Sequence, residues 1–422
     1  MDDIWLVLPH LGAGGAQKVA ILAACRFSAQ GLRLRVVTFV PGVPVIHPPP
    51  VGVPHLDLGP SVEAEWLGDH WNRSLQARCR RFLKAQTRRL HRIFAKVLLL
   101  LAWPWFCRRA LPGCNDLTSR LLRWCVCGIS GPQALLLQQA IEREKPARVL
   151  AMLTRTNILT CQALWDSHAH LVVSERNDPT HQLLPFPWLR LRKLLYRRAD
   201  VVTANTEGVL RGLGVLQQFR RVELLPNPLP SALGSSTFDF VAKQSRPKAF
   251  VSVARLVHQK GIDVLIRAAA LTSGSASSWP VLLVGDGPER SSLERQVASE
   301  GLSDRVQFQG FCQEPSRFLA ASSVFVLPSR FEGMPNALLE AMAAGLAVIV
   351  TDASPGPLEM VEHRRSGLVV PCDDASALAE AMEELAGDVE LRCRLACAAF
   401  ERIASLDWSQ VESKWRSVLA LP

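Results

Sequence analysis

With 422 residues, the chain is longer than the roughly 300 residues that one hydrophobic core organises, so two domains are predicted. Apolar residues make up 48% and charged residues 20%, a globular composition that excludes disorder over most of the chain. The formal net charge is +10, and thirteen Lys or Arg residues against two acidic ones concentrate it in residues 68–128, which leaves the remainder close to neutral.

Neither a signal peptide nor a membrane-spanning segment is predicted. The chain does not start with a basic stretch followed by a long apolar run, and no apolar run reaches about 18 residues. The eleven cysteines lack the Cys-x2-Cys spacing of zinc sites, and their odd number argues against a full set of disulfides. Free thiols in a reducing, cytoplasmic compartment are therefore expected.

Short apolar runs alternate with longer amphipathic stretches along the first half of the chain. Strands are predicted at residues 4–8, 34–39, 53–58, 148–153, 170–174 and 199–204, and a turn at 12–16 leads into a helix at 17–30. Because helical stretches separate the strands, these are expected to pair in parallel through right-handed crossovers.

Residues 68–128, called here the basic insert, are predicted to be helical in pieces, with breaks near Pro104 and Pro112. The centre of the insert, residues 97–106, holds ten apolar residues with basic residues on both sides. Ten residues are too few to cross a bilayer, but basic flanks and tryptophans suit a segment at an anionic membrane surface. A core helix with a solvated basic face explains the pattern equally well, whereas no recognised module supports nucleic-acid binding.

A proline-rich break at residues 225–230 and a polar linker at 231–247 precede a second alternating series. Strands are predicted at 248–253, 281–284, 306–308, 324–327 and 347–350, and helices at 261–271, 290–300, 338–344 and 375–385. Two Rossmann-like halves joined near residue 230 are therefore expected, with the ligand site in a cleft between them.

The strongest motif is residues 331–345, in which Glu332 and Glu340 stand eight positions apart. Pro335 favours the start of a helix, because its missing N–H is one that the first turn leaves unpaired. The backbone N–H groups of 333–337 then point at an anionic or hydroxyl-rich ligand above the helix. Glu340, two turns further along, suits an acceptor for the vicinal hydroxyls of a ribose.

Two further stretches suit a diphosphate group. Arg255 and Lys260 follow the strand at 248–253 and bring two cations to one place, as a pyrophosphate requires. A tight turn containing Gly285 and Gly287 follows the next strand and lets a nucleotide approach the backbone.

Residues 331–345 resemble the Glu-x7-Glu signature of the retaining glycosyltransferases of family 4, which have the α/β GT-B fold of two Rossmann-like domains facing each other across a cleft. The resemblance extends over most of the chain and is densest over 249–374. Residues 253–262 resemble the family's Gly-Arg-Leu…Lys-Gly stretch, with Ala254 where glycine is usual, and 283–289 match its Gly-x-Gly-Pro turn.

Residues 12–18 resemble the family's N-terminal Gly-Gly-Ala loop, which caps the donor diphosphate from across the cleft. The resemblance implies that Glu332 is the catalytic residue beside the donor sugar. The implied donor-binding residues are Gly14, Gly15, Arg255, Lys260, Gly285, Gly287, Gly333, Met334, Pro335, Asn336, Ala337 and Glu340. It also implies that the enzyme needs no metal and no cofactor, since Arg255 and Lys260 stabilise the leaving diphosphate, and the sequence lacks an Asp-x-Asp metal motif.

One departure concerns the first half, where many members of the family carry a histidine facing the transferred sugar. The comparable stretch, residues 173–179, contains a Ser-Glu sequence similar to that of a subset of polysaccharide and lipid-linked oligosaccharide transferases. Glu175 is therefore the candidate catalytic group on the acceptor side, with Arg176, Asn177 and residues 154–157 as further cleft candidates. Three nearby histidines are expected to have structural or loop roles: His168, His170 and His181.

The resemblance implies transfer of a sugar from a UDP-sugar, or a GDP-sugar, to a hydroxyl of a glycan or lipid-linked acceptor with retention of anomeric configuration. In such enzymes the departing diphosphate helps to deprotonate the acceptor, and the protein positions both substrates. The implied division is an acceptor domain at 1–228, a donor domain at 229–400 and a C-terminal helix at 401–422 that crosses back to the first domain.

The corresponding expectation is a cytoplasmic enzyme of polysaccharide or lipopolysaccharide synthesis, with peripheral membrane contact through residues 88–109. Three alternatives stay open: another GT-B enzyme such as a nucleotide-sugar epimerase, a catalytically degenerate GT-B scaffold subunit, and a basic nucleic-acid-binding protein.

Overall fold

The computed structural model describes residues 4–59, 75–177, 179, 182, 184–229 and 246–422, with the side chains of 75–85 excepted. Most of the linker predicted at 231–247 lies outside these residues, as do His181 and the start of the basic insert.

Within the described residues, seven parallel strands form the sheet of the first domain, in the order β3-β2-β1-β4-β5-β6-β7. The strands are β1 (Ile4–Val7), β2 (Leu34–Thr38), β3 (His55–Asp57), β4 (Arg148–Met152), β5 (His170–Glu175), β6 (Val201–Ala204) and β7 (Val222–Leu224). The helices are α1 (Gly15–Ala29), α2 (Leu75–Leu101), α3 (Trp103–Arg109), α4 (Leu117–Ser130), α5 (Gln133–Glu144), α6 (Thr154–Ala163), α7 (Trp188–Leu195) and α8 (Glu207–Leu216). The six predicted strands are confirmed to within a few residues, and β7 is an addition.

The second domain, in the part of the chain that the structure describes, has six parallel strands in the order β10-β9-β8-β11-β12-β13. These strands are β8 (Phe250–Val253), β9 (Val281–Val284), β10 (Val306–Gly310), β11 (Val324–Leu327), β12 (Ala347–Thr351) and β13 (Leu368–Val370). The helices are α9 (Ile262–Leu271), α10 (Arg290–Ser299), α11 (Ser316–Ala320), α12 (Asn336–Ala343), α13 (Pro355–Met360), α14 (Ala375–Gly387) and α15 (Val389–Arg402), followed by α16 (Trp408–Val418).

Both sheets reverse their strand order at one point, between β1 and β4 in the first domain and between β8 and β11 in the second. At such a switch point the loops that follow the two neighbouring strands run in opposite directions and leave a crevice at the carboxyl ends of the strands. The fold therefore predicts that ligand-binding groups follow β1, β4, β8 and β11.

The C-terminal helix α16 lies against the first domain. The indole N–H of Trp415 donates to the Pro226 carbonyl at 3.3 Å, and the His170 ring lies 2.7 Å from the Val418 carbonyl. Trp408 packs edge-on against Phe27 of α1, with ring centroids 5.2 Å apart. A buried apolar cluster consequently continues from the first sheet through α16 into the second domain.

The basic insert forms α2, α3 and α4. A bend of 72° separates α2 from α3, whose first turn contains Pro104, and α4 begins only after Pro112, so both predicted breaks are confirmed. Among the described residues, no single helix is long and apolar enough to span a membrane. Gln86–Leu101 together with Trp103–Arg109 meets the same test as a bent pair, by length and composition alone.

Candidate functional site

The residues that the sequence singled out meet at the two switch points. Gly14 and Gly15 follow β1, Thr154 follows β4, Arg255 follows β8 and Glu332 follows β11. These loops lie at the carboxyl ends of parallel strands, where open α/β sheets bind their ligands. The candidate site therefore draws on both domains.

Glu332 is buried and carries two partners on one oxygen. Lys260 Nζ lies 2.5 Å from Glu332 Oε1, and the Ser329 hydroxyl donates to the same atom at 2.7 Å. The Glu332 backbone N–H donates to Ser354 Oγ at 2.9 Å, which fixes the loop that carries the carboxylate. The site thus holds a carboxylate and an ammonium group side by side at the end of β11.

Gly261 brings Lys260 to this position. Its φ is +62°, and a Cβ at this residue would lie 2.0 Å from the Pro328 carbonyl oxygen. Only glycine permits both the left-handed backbone and such a close approach. The loop after β8 can therefore pack directly on the end of β11 and place Lys260 beside Glu332.

Gly333 is enclosed by backbone on both sides. A Cβ at Gly333 would lie 2.1 Å from the Arg176 carbonyl oxygen, and a Cβ at Gly356 would lie 1.6 Å from the Gly333 carbonyl oxygen. The segment after β11 therefore touches the end of β5 in the other domain. This contact brings the Glu332 loop next to Glu175 and Arg176.

A chain of polar side chains crosses between the domains. Arg176 Nη1 donates to Asn227 Oδ1 at 2.6 Å, Asn227 Nδ2 to Asn336 Oδ1 at 2.6 Å, and Asn336 Nδ2 to the Gly15 carbonyl at 3.0 Å. Arg176 is fully buried, and this burial lowers its guanidinium pKa to about 9. The chain holds the glycine loop after β1 against the first turn of α12.

Helix α12 begins at Asn336, directly after Pro335, close to the predicted start. Ala337 is half-buried in the first turn. The side chain of Met334, a predicted donor-binding residue, is 7% exposed and packs in the core between the domains, and its sulfur lies 3.2 Å from the Asn227 backbone nitrogen. Apolar burial therefore decides the orientation of the Met334 side chain.

Glu340 forms an ion pair across the two domains. Its Oε1 lies 2.6 Å from the Nζ atom of Lys18, which is on α1. The side chain of Glu340 is 8% exposed and that of Lys18 is 33% exposed. The carboxylate that the sequence assigned to a ribose is thus paired with a cation of the opposite domain.

Arg255 differs from the other cations, because its side chain is exposed and no described residue pairs with it. The loops after β8 and β9 stack closely beside it. Gly285 has a φ of +144°, and its Cβ would lie 1.8 Å from the Ala254 carbonyl oxygen. A Cβ at Gly287 would lie 2.4 Å from the Leu256 carbonyl oxygen. The two glycines are therefore required by the approach of two backbones.

Glu175 lies at the end of β5, almost completely buried. Tyr196 donates its hydroxyl proton to one carboxylate oxygen, and Thr154 Oγ1 donates to the other at 2.7 Å. Asn157 Nδ2 in turn donates to the Tyr196 hydroxyl at 3.0 Å. Burial raises the pKa of Glu175 despite these hydrogen bonds, which favour the ionised carboxylate.

A cavity of about 360 Å³ opens next to Glu175 and is lined also by Thr154, Arg155 and Arg176. Leu153, which precedes Thr154, has a φ of +78°, a strained conformation for a large side chain. Strain of this kind is often found where a fold orients functional groups. The first-domain side of the crevice therefore consists of the start of α6 and the end of β5.

Several residues near the site were not found by sequence reasoning. His10 lies in the loop after β1, accepts the Gly12 N–H at 3.0 Å, and has its pKa lowered by burial and, to a smaller degree, by Arg255. Asn227, Ser329 and Tyr196 are the others. Asn227 and Tyr196 could not be found from local spacing, because their partners lie far away in the chain. His10 and Ser329 have partners two and three residues away, but they belong to none of the motifs that the sequence singled out.

Of the three histidines near β5, the two that the structure describes do not line the cavity beside Glu175. His168 is exposed, and His170 contacts the carbonyl end of α16. In the part of the chain that the structure describes, no three His, Cys, Asp or Glu side chains are grouped as metal ligands would be.

The fold and the position of these residues define the structural class of the protein. Two doubly wound parallel sheets whose switch points face a common crevice form the GT-B architecture, and HepE of Anabaena, solved in complex with UDP-glucose, shares it. The two chains superpose over 100% of each with a TM-score of 0.69 at 19% identity. The prediction of a GT-B fold is thus confirmed.

The sequence comparisons show similarity to glycosyltransferases. Residues 236–402 match the family model of the glycosyl transferases group 1. LpsE of Rhizobium meliloti, a lipopolysaccharide core biosynthesis glycosyltransferase, is 34% identical over 204 residues, which are 48% of this chain and 58% of LpsE. The match thus spans little more than half of LpsE.

A second relative is matched over a longer part of its length. This protein of Campylobacter jejuni is an alpha-1,4-N-acetyl-D-galactosaminyltransferase whose name specifies a diphospho-undecaprenol-linked (PP-undecaprenol) saccharide. It is 26% identical over 287 residues, 67% of this chain and 77% of the relative. The predicted resemblance to bacterial polysaccharide and lipid-linked oligosaccharide glycosyltransferases is confirmed by these relatives.

Proposed function

We propose that the protein transfers a sugar from a nucleotide diphosphate sugar, UDP-linked rather than GDP-linked, to a hydroxyl of a glycan or lipid-linked acceptor, with retention of anomeric configuration. The observation that carries the proposal is the grouping of Glu332, Lys260 and exposed Arg255 at the switch point of the second domain, opposite the glycine loop of the first. HepE, which has the same fold, was solved with UDP-glucose.

The chemistry of this grouping suits the departure of a diphosphate. Arg255 and Lys260 supply positive charge where negative charge develops, and the backbone N–H groups at the start of α12 add dipoles of the same sign. A diphosphate that enters the site competes with Glu332 for the Lys260 ammonium. Glu332 then becomes available to a hydroxyl of the donor sugar or to the developing positive charge at the anomeric carbon.

On the acceptor side, Glu175 is proposed as the group that faces the acceptor, held by Tyr196 and Thr154. Both of its oxygens already accept a hydrogen bond. An acceptor hydroxyl in the adjoining cavity would therefore meet a carboxylate of fixed orientation. Because the diphosphate oxygen itself accepts the acceptor proton in this mechanism, Glu175 has to orient the acceptor hydroxyl and does not have to take its proton.

Peripheral contact with an anionic membrane is proposed for residues 88–109. Exposed apolar side chains follow one face of α2, and basic residues flank them in sequence. The exposed apolar side chains are Leu90, Ile93, Phe94, Val97, Leu100 and Leu101. Such a combination of an apolar face and cationic flanks is what an interfacial helix needs.

Assays of donor turnover test the proposed activity. We expect release of UDP from one of a panel of UDP-sugars and GDP-sugars. Lys260→Gln and Arg255→Gln should each lower kcat/KM by about 100-fold, the typical effect of removing one transition-state charge partner. Glu332→Gln should lower kcat to a similar extent, and added chelator should leave the rate unchanged.

The matched control is Arg267→Gln, an exposed arginine on α9 of the same domain, which should keep wild-type turnover. Wild-type rates in Lys260→Gln and Glu332→Gln, with unchanged melting temperature, would contradict the proposed site. Absence of turnover with every donor, in a protein that binds UDP, would favour the scaffold alternative. Proton NMR of the product reports its anomeric configuration, and inversion would remove the retaining part of the proposal.

A further inference from the structure

The first domain has a second, larger cavity of about 600 Å³, which the donor site does not use. It lies between α2, α6 and the segment before α7, and Arg155 and Thr156 line both this cavity and the one beside Glu175. The two cavities therefore adjoin. A molecule held in the larger cavity can extend towards Glu175.

The charged residues that line the larger cavity are all positive. Arg92, Lys96 and Arg155 line it, and no acidic residue is among the lining residues that the structure describes. Over the same part of the chain, none of the three pairs with a carboxylate, and Arg155 instead stacks 5.1 Å above the Trp188 ring. A neutral glycan needs hydroxyl and amide partners, whereas three cations without a counter-charge suit a phosphate or diphosphate.

The position of Arg92 and Lys96 on α2 adds a second feature. The two residues are one helical turn apart and lie between the face that packs on α4, through Ala95 and Leu99, and the exposed apolar face of the same helix. Phe94 on the apolar face is 60% exposed. The cations therefore stand at the border between the cavity and an uncovered apolar surface.

Three regions thus follow one another: the apolar face of α2, the cationic cavity, and the Glu175 cavity beside the donor site. We propose that the cationic cavity binds the phosphate or diphosphate of a lipid-linked acceptor, with Arg92, Lys96 and Arg155 as its anion ligands. The lipid chain follows the apolar face, and the sugar end reaches Glu175. This inference rests on the proposed function, because it assigns the acceptor of the same reaction.

Calorimetric titration with soluble farnesyl diphosphate tests the assignment in the absence of turnover. UDP is kept at saturation, because the donor site has cations of its own. We expect wild-type protein to bind farnesyl diphosphate more tightly than inorganic pyrophosphate, and farnesol weakly or not at all. The variant R92Q/K96Q/R155Q should bind farnesyl diphosphate at least about tenfold more weakly, since each lost cation removes a charge-assisted contact.

The matched control is R89Q/R108Q/R109Q, which removes three exposed charges of the same insert that do not line the cavity. It should keep wild-type affinity for farnesyl diphosphate. A second variant, R92Q/K96Q, changes only the exposed residues of α2 and keeps the Arg155–Trp188 contact. A loss of affinity in this variant therefore cannot come from misfolding caused by loss of that contact. Its affinity should fall as well.

Three results would overturn the proposal. Equal loss of affinity in the matched control would show a general charge effect. Unchanged affinity in R92Q/K96Q/R155Q would place the ligand elsewhere. Equal affinity for pyrophosphate and farnesyl diphosphate would indicate a site for free phosphate compounds rather than a lipid-linked one. The titration measures binding alone, so its result can be interpreted even if the protein shows no transferase activity. In the same way, a failed titration would leave the transferase assay of the proposed function unaffected.

Discussion

Glu332 and Glu340, eight positions apart in one loop and helix, have different roles in the folded chain. Glu332 holds Lys260 of its own domain, whereas Glu340 holds Lys18 of the other. Both carboxylates are nearly buried, so each needs its cation to offset desolvation. On the proposed function, entry of an anionic donor would change the electrostatic surroundings of both ion pairs at once.

Glu175 is the most strongly buried acidic residue of the crevice, and its titration predicts how the stability of the protein depends on pH. Burial raises its pKa above the ordinary value of 4.5. A raised carboxyl pKa contributes stability that is fully present below pH 4.5 and is lost as pH rises through the folded-state value. Glu175→Gln removes this loss. The free energy of unfolding of Glu175→Gln should therefore increase relative to that of wild type as the pH rises above the ordinary carboxyl pKa of 4.5.

Urea unfolding at several pH values measures this difference. Glu223→Gln, on the exposed edge strand β7, controls for a general effect of the substitution. Tyr196→Phe removes a hydrogen bond to the ionised form and should raise the pKa of Glu175 further. A difference between Glu175→Gln and wild type that stays constant with pH would contradict the assignment.

At the scale of elements, the basic insert combines a packed face with an uncovered one. A Cβ at Gly128 of α4 would lie 2.8 Å from Ala95 Cβ, so glycine lets α2 and α4 approach closely. The opposite face of α2 keeps large apolar side chains in solvent, as at Leu101, which is 74% exposed. An uncovered apolar face of this size on a basic helix calls for a partner surface.

Sedimentation with vesicles that contain phosphatidylglycerol tests the membrane proposal at this scale. The quadruple variant R88Q/R89Q/R108Q/R109Q should partition more than about tenfold less than wild type, since each basic residue near an anionic surface contributes about 1 kcal/mol. Neutral phosphatidylcholine vesicles should bind wild type weakly.

A control variant removes four exposed arginines of the second domain: Arg267, Arg295, Arg365 and Arg394. It should sediment like wild type. Equal sedimentation of wild type and the basic-insert variant would contradict the proposed membrane contact. An equal loss of sedimentation in both variants would show that the net charge of the protein, and not the basic insert, is responsible for binding.

At the scale of the whole molecule, several contacts join the domains, and three of them involve the core or buried polar groups. Helix α16 extends the apolar core from one to the other, the Arg176–Asn227–Asn336 chain crosses the boundary, and Lys18 pairs with Glu340. All but α16 lie beside the crevice. The proposed ligand site and the contact between the domains therefore share side chains.

A double-mutant cycle of Lys18→Gln and Glu340→Gln tests the interdomain pair. We expect a coupling free energy of about 1 kcal/mol without ligand, because Glu340 is buried while the partial exposure of Lys18 screens the attraction. The exposed pair Arg221 and Glu223, which lies within the first domain, should couple less. The measurement is urea unfolding, and a coupling no larger than that of the exposed pair would contradict the prediction.

Much of the fold is predictable from local patterns. The alternation of buried strands and amphipathic helices predicts both sheets, because eleven of the thirteen described strands could be recognised from their own residues. The strands β7 and β13 were missed, since each has only three residues and β7 includes Glu223. The division of the basic insert into helices was predicted as well, because the breaks near Pro104 and Pro112 can be read from the prolines themselves.

The sequence by itself determined the switch-point residues of the second domain, since the acids, cations and glycines of that site occur in short motifs with regular spacing. Only the tertiary structure decided the partners: Lys18 for Glu340, Tyr196 for Glu175, and the chain from Arg176 to Asn336. It also turned Met334 into the core and joined Arg92 to Arg155 around one cavity. These pairings depend on the packing of elements that lie far apart in the chain. Burial and backbone contact select each partner, and the local spacing of residues in the sequence does not reveal which partner that is.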